Sequence, residues 1–365
     1  MIFSAEDHDF MARALQLARR GLFTTTPNPR VGCVMVRESR VIGEGWHERA
    51  GLPHAEAVAL EKIVGAGETA QGATAYATLE PCSHFGRTPP CADALIAAGV
   101  SRVVVAMADP NPLVAGQGLA KLAAAGVDVV SGLLATDAAE LNIGFVSRMT
   151  RGRPWLRLKV AVSLDGKTAL NNGVSQWITG PDARRDAHGW RARSCAVLTG
   201  IGTVRDDNPR LTVREVLTTR QPLRVVIDSR LETPLDAAVL EGGKVLIAAA
   251  RDDAARSAAL RARGAEIVIL PNAQGKVELG DLMQELGRRG INEVLAEAGS
   301  RLNGSLLEAG CVDELLIYQA PILIGDTARG MFGMTELADL AGAKRLRIIE
   351  RRVVGADFLI RARFA

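Results

Sequence analysis

From Ser4 to Gly21 apolar positions recur at helical spacing (Phe10, Met11, Ala14, Leu17, Ala18) behind a Ser4/Asp7 start, which predicts an N-terminal helix ending at Gly21. VGCVMVRESRVIGEGW then reads as two strands around a polar ESR turn, and a helix follows from about His54 to Val64, ended by Gly65. Strand ATAYATLE, helix CADALIAAG, strand SRVVVAM, helix GLAKLAAAG and strand VDVVSGLL continue the alternation. The hydrophilic stretch RMTRGRP (148–154) interrupts it and reads as a linker. Beyond it come strands WLRLKVAVS, CAVLTG, LRVVIDS, KVLIAAA, AEIVIL and NEVLAEAG, then a final pair, DELLIYQAPILI and RLRIIERRVVG to the end. This order predicts an α/β protein with helices on both faces of its sheets, in two domains, 1–148 and 149–365. No G-x-G-x-x-G follows a strand, so a Rossmann dinucleotide fingerprint is absent.

A chain of 365 residues exceeds one ordinary core, which agrees with two domains. Its 48% hydrophobic and 23% charged residues are those of an ordinary globular protein, and no apolar run is long enough to predict a membrane span. The opening MIFSAEDHDFMARAL carries Glu6, Asp7 and Asp9 where an export signal needs a basic flank, so the cytoplasm is the expected compartment. Five scattered cysteines (33, 82, 91, 195, 311) do not make a disulfide framework; a pair of them is better read as metal ligands. Residues 1–148 hold 12 Lys and Arg against 15 Asp and Glu, net −3, which argues against a nucleic-acid partner. The rest holds 32 against 26, net +6, a sign that suits a phosphorylated small molecule.

The chemistry of the first half centres on PHAEAVAL and TLEPCSHFGRTPPCADAL. His54 with Cys82 and Cys91 makes a His-Cys-Cys set, and three protein ligands leave zinc a position at which to activate water. Glu56, two residues after the histidine, is the expected proton carrier. His54 and Cys91 fall at expected helix starts, where the partial positive charge favours thiolate. Cys33 lies in an apolar strand and reads as core.

H-A-E followed by P-C-x8-C resembles the zinc deaminase signature, with a longer spacing between the cysteines. PCSHFGRTPPC together with TPNPRVGCV is similar to one branch, the bifunctional riboflavin-biosynthesis deaminase-reductases. That resemblance implies a cytidine-deaminase-like domain joined to a dihydrofolate-reductase-like domain. It also implies zinc and NADPH as cofactors and a phosphorylated pyrimidine as substrate, deaminated first and then reduced at its ribose. SHFGRTPP becomes part of the pyrimidine pocket, with His84 and Arg87 on substrate and Asn28 and His47 lining it. The alternatives are that Arg87 is a solvated loop charge, Asn28 a turn residue, and His84 a fourth ligand closing a structural zinc site.

In the second half NEVLAEAG followed by SRLNGSLLEAG is a glycine-rich strand-to-helix turn able to hold phosphate, or a plain connection. LKVAVSLDGKTA, SQWITG, GTVRDDNPRLTVR, VIDS and EAG resemble the reductase half of the same family. The resemblance implies NADPH near Ala161, Trp177, Thr203, Asp207, Ser229 and the turn Gly299, Ser300, Arg301, Leu302, Asn303, Gly304 and Ser305. It implies substrate near Ser175, Arg191, Leu211, Arg214 and Glu297. Arg191 and Arg214 can offer paired donors to a phosphate, although Arg191 also suits a helix surface. Trp177 suits either cofactor packing or a core. Lys159 either orients the opened sugar or runs its stem along apolar surface. Two rivals stand beside this reading: a nucleic-acid deaminase, which needs a basic face that residues 1–148 lack, and a zinc-stabilised binding module, which needs four protein ligands. Homo-oligomerisation is left open.

Overall fold

The computed structural model describes residues 3–84 and 89–365. The chain divides into two compact units, Met1–Gly152 and Arg153–Ala365. The first is built on strands β1 (Gly32–Arg37), β2 (Arg40–Trp46), β3 (Thr74–Ala77), β4 (Arg102–Val105) and β5 (Asp128–Ser131), in the order β2-β1-β3-β4-β5. β1 runs antiparallel to both neighbours, and β3, β4 and β5 are parallel. The turn between β1 and β2 is the two residues Glu38 and Ser39, both at positive φ (51° and 59°), the twist that closes a tight hairpin.

Side chains alternate across this sheet. Cys33 and Met35 join Ala59, Ile63, Leu95 and Leu122 on one face, while Val34, Val36 and Tyr76 join Met11, Ala14 and Leu15 on the other. The sheet is therefore covered on both faces, and Cys33 is core as expected. Gly45 makes one of these packings possible, since a Cβ there would stand 2.3 Å from the Ala55 carbonyl oxygen. The helix Ala55–Gly65 thus lies directly on the β2 backbone, which places His54 at its head.

RMTRGRP holds the division between the units, but its first four residues are helical. Helix Ile143–Arg151 runs through it, buries Gly144, Phe145 and Ser147, and ends at Gly152 in the left-handed conformation. The polarity that suggests a linker belongs to the outward side of this last turn. Arg153 already binds within the second unit, donating to both carboxylate oxygens of Asp313 at 3.1 and 2.8 Å.

The second unit contains β6 (Trp155–Ser163), β7 (Lys167–Ala169), β8 (Ala196–Gly200), β9 (Leu223–Ile227), β10 (Val245–Ala249), β11 (Ala265–Ile269), β12 (Glu293–Glu297), β13 (Glu314–Ala320), β14 (Arg329–Gly330), β15 (Leu346–Val354) and β16 (Asp357–Phe364). Nine of them form one sheet in the order β11-β10-β9-β8-β12-β6-β13-β16-β15, and β7 pairs with β14. The strands from β11 to β13 are parallel, as strand–helix alternation requires; β16 adds antiparallel to β13, and β15 antiparallel to β16. The sequence reads RLRIIERRVVG onward as one closing strand; the chain instead folds back at Gly355 (φ 63°) into the β15–β16 hairpin.

The centre of this sheet carries a buried ionic cluster. Arg157 and Glu314 have fully buried side chains, and Glu314 accepts from Arg361 at 2.9 Å and from Arg363 at 2.9 Å. Glu293 pairs with Arg157 and, at 2.8 Å, with Arg193. Burial alone would raise the Glu314 pKa, but Arg157, Arg361 and Arg363 pull it down to about 2. Removing one member of such a group leaves buried charge uncompensated. Glu314→Ala is therefore expected to cost about 3–5 kcal/mol in denaturant unfolding of the second unit. Because the folded pKa lies below the ordinary value of 4.5, the stabilisation is full above that pH and fades as pH falls toward about 2.

Candidate functional site

His54 is the N-cap of helix Ala55–Gly65, in extended conformation, and its carbonyl accepts the Val58 N–H at 3.0 Å. Cys91 is the first residue of helix Cys91–Ala97 behind Pro90. Cys82 stands in the irregular segment after β3, held by its carbonyl accepting the Ala92 N–H at 3.1 Å. The ligand atoms of His54, Cys82 and Cys91 all lie within 4.8 Å of one another. His54 Nδ1 is 3.6 Å from the Cys82 sulphur and 3.3 Å from the Cys91 sulphur, and the Cys91 N–H donates to the Cys82 sulphur at 3.2 Å.

This donor set fits zinc: two sulphurs and an imidazole converge, and a backbone N–H supports one sulphur as thiolate. Hydrogen bonding from Cys91, with help from His54, lowers the Cys82 thiol, whereas the Cys82 sulphur and burial push Cys91 up. Among the described residues the metal-binding group has these three members, and His84 is exposed and outside it. The fourth-ligand alternative therefore loses its residue.

Glu56 is buried and contacts Cys91, and burial raises its pKa. A carboxyl so placed holds a proton more readily than a free one, as a group that must both take up and release a proton requires. The His47 ring meets that of His54 edge-on, centroids 5.2 Å apart. His47 Nδ1 bonds the Pro53 carbonyl at 3.0 Å, so it carries the proton, and Nε2 accepts from the Asn28 amide at 3.0 Å. Burial lowers the His47 pKa and keeps the ring neutral. Asn28 is thus more than a turn residue, because its side chain is tied to the wall behind His54. His84 lines a small hollow with Cys82, Ser83 and Asp109. Arg87 lies outside the described residues.

Glu80 escapes a reading by motif. Its buried carboxylate accepts from the backbone N–H groups of Asp109, Gly116 and Gly118 at 2.9, 2.9 and 2.8 Å, fixing the loop after β4 two residues from Cys82. The available signal was an acidic residue at the end of an otherwise apolar strand.

In the second unit the carboxyl ends of β6, β8, β9 and β12 line a large open cleft, where ligands of open α/β sheets bind. At its floor the Lys159 ammonium is 3.9 Å from Glu297. Arg191 donates to both Glu297 oxygens at 2.5 and 2.9 Å and to the Thr212 carbonyl at 3.1 Å. Arg191 is therefore no helix-surface charge; it is a clamp on Glu297. Burial would raise Glu297, but Arg191 and Lys159 draw it down to about 2, and burial lowers Lys159. His188, which no motif marks, stands buried in the same wall with its pKa brought to about 4 by burial, Arg191 and Arg214.

The cleft collects Ala161, Trp177, Thr203, Asp207, Ser229, Gly299, Ser300, Arg301, Leu302 and Ser305, along with Ser175, Leu211 and Arg214. Ser175 donates to Asp207 at 3.4 Å. Trp177 is 69% exposed beneath the Arg184 guanidinium, which removes the core alternative. Asn303 and Gly304 are not in the cleft wall: the Asn303 amide donates to the Met331 carbonyl at 3.1 Å, and a Cβ on Gly304 would stand 2.2 Å from the Gly333 carbonyl oxygen. They lie on the packed side of helix Ser300–Glu308, so the seven-residue turn reaches the cleft through five positions.

Residues 4–107 match the cytidine and deoxycytidylate deaminase zinc-binding region, and residues 154–360 match the RibD C-terminal domain. The riboflavin biosynthesis protein RibD of Escherichia coli is 49% identical, with 96% of this chain and 98% of that protein covered. Its Haemophilus influenzae counterpart is 47% identical over 97% and 96%. A crystal structure of Acinetobacter baumannii RibD superposes with a TM-score of 0.91 at 42% identity, covering 99% of each chain. A deaminase/reductase from Thermotoga maritima does so with 0.88 at 33% identity, again over 99% of each. With a cytidine-deaminase domain that assembles a zinc-binding triad, followed by a reductase domain of the dihydrofolate-reductase type, this chain belongs to the RibD family of bifunctional riboflavin-biosynthesis deaminase-reductases.

Proposed function

We propose that the first unit hydrolytically deaminates 2,5-diamino-6-(5-phosphoribosylamino)pyrimidin-4-one, and that the second reduces the ribosyl group of the product to ribityl with NADPH. The observation that carries the reading is the His54, Cys82 and Cys91 triad with buried Glu56 against it. Zinc held there supplies Lewis acidity toward water. Glu56 takes the proton of the attacking water and delivers it to the departing amine, so one ammonia leaves for each water consumed. Asn28, fixed by His47, meets the ring, with His84 at the rim, and Arg87 is the further residue expected to contact substrate.

In the cleft the nicotinamide cofactor supplies hydride. Lys159 and Glu297, a close pair of opposite charge, orient the opened sugar, and Arg214 meets the ribose phosphate. Ala161, Trp177, Thr203, Asp207, Ser229 and the head of helix Ser300–Glu308 bind the cofactor. The extra phosphate of NADPH needs charged donors, each worth about 1.5–3 kcal/mol, so kcat/KM is expected to favour NADPH over NADH by about 10- to 100-fold. Equal efficiency with both counts against this. The primary test measures zinc content and ammonia release from the free nucleotide, with RNA as a competing substrate, and then NADPH oxidation on the deaminated product. Ammonia released from RNA alone, or zinc without ammonia release, overturns the proposal.

A further inference from the structure

Residues Leu211 to Arg214 belong to no helix or strand, yet the segment is held at each step. Leu211 is buried at positive φ (54°). The Thr212 carbonyl accepts from Arg191 at 3.1 Å. Val213 is bound at both backbone groups by one side chain: Gln221 Oε1 accepts its N–H at 2.8 Å, and Gln221 Nε2 donates to its carbonyl at 3.0 Å. The Arg214 N–H then donates to His188 Nδ1 at 3.3 Å, which leaves the His188 proton on Nε2. Arg214 itself is exposed to the cleft, its guanidinium donating to Thr212 Oγ1 at 3.0 Å.

A flexible loop would have to be ordered each time an anion binds, at a cost in affinity for every residue fixed. Here three side chains from outside the segment have already fixed it. Resting on the reading of Arg214 as the phosphate ligand, we infer that His188 and Gln221 are positioning residues that preorganise the 212–214 backbone, so that Arg214 meets the substrate phosphate without loop ordering. Neither needs to touch substrate. His188 acts as an acceptor, and its imidazole remains neutral in this positively charged wall, which lets Nδ1 serve.

The test uses the full chain and two substrates, the deaminated nucleotide and its dephosphorylated nucleoside, with NADPH oxidation as the readout. The quantity of interest is the KM advantage that the phosphate confers. His188→Leu and Gln221→Leu are each expected to reduce that advantage about tenfold or more while kcat at saturation changes by less than about threefold, the signature of lost ground-state binding. His188→Asn, whose Oδ1 can replace Nδ1 as acceptor, is expected to restore most of it. If His188→Leu does not fold, Gln221→Leu and His188→Asn carry the test. An unchanged phosphate advantage in Gln221→Leu overturns the inference, as does a His188→Asn variant that loses it. So does equal loss toward both substrates in either leucine variant. Arg214→Ala separates the two readings. If it leaves the phosphate advantage intact, the assignment of Arg214 fails; if it alone removes the advantage, only the positioning role of His188 and Gln221 fails.

Discussion

Glu56→Gln is expected to slow deamination by about 10² to 10⁴ while NADPH oxidation on the deaminated substrate continues. The exchange keeps the shape of a buried side chain and all three metal ligands, and it removes only the group that can carry a proton. Burial raises the Glu56 pKa, which brings the carboxyl closer to the pH at which it must both accept and release that proton. An amide has no such capacity. The check follows ammonia from the starting nucleotide and NADPH from the deaminated one in the same preparation, alongside zinc content. Abolished NADPH oxidation in a folded, zinc-replete variant would mean that the two activities do not reside in separate units.

Removing both thiols, in a Cys82→Ala, Cys91→Ala variant, is expected to reduce bound zinc from about one per chain to essentially none, with deamination lost alongside it. His54 alone offers a single nitrogen, too few donors for zinc at a site that otherwise supplies three. Elemental analysis of the purified variants measures this directly. Stoichiometric zinc in the double variant would refute the triad.

What the sequence makes legible is what lies close along the chain. H-A-E and P-C-x8-C are short stretches whose residue types announce metal chemistry, and the helix starts at Ala55 and Cys91 follow from turn residues beside them. Strand β6 was legible because WLRLKVAVS alternates Leu156, Leu158, Val160 and Val162 with Arg157 and Lys159, the two-residue period of a strand. Other features depend on partners far away. Glu80 reveals its role only when Asp109 to Gly118 folds back on it, and His188 only beside Arg214. Arg191 reads as a phosphate donor from its residue type, and that it also clamps Glu297 shows only when positions 106 apart in sequence meet. The stretch RMTRGRP does hold the division between the units, at Gly152 and Arg153, while its first four residues are helical, because an exposed helix turn and a loop share a composition.

The place of β6 in its sheet bears on how the protein is made. It is the first strand of the second unit to leave the ribosome, yet it lies between β12 and β13: Trp155 pairs with Glu293 and Arg157 with Glu314. At ordinary translation speeds of about 5–20 residues per second, those partners emerge on the order of ten seconds later. The residues of the first unit are complete by Gly152 and can fold during that wait, while Leu156, Leu158, Val160 and Val162 remain without either neighbour. The newborn chain thus exposes four apolar side chains while both neighbours of their strand are still being made. A chain cut before Glu293 leaves that strand with neither partner, and is expected to show greater aggregation than the full chain in a sedimentation assay.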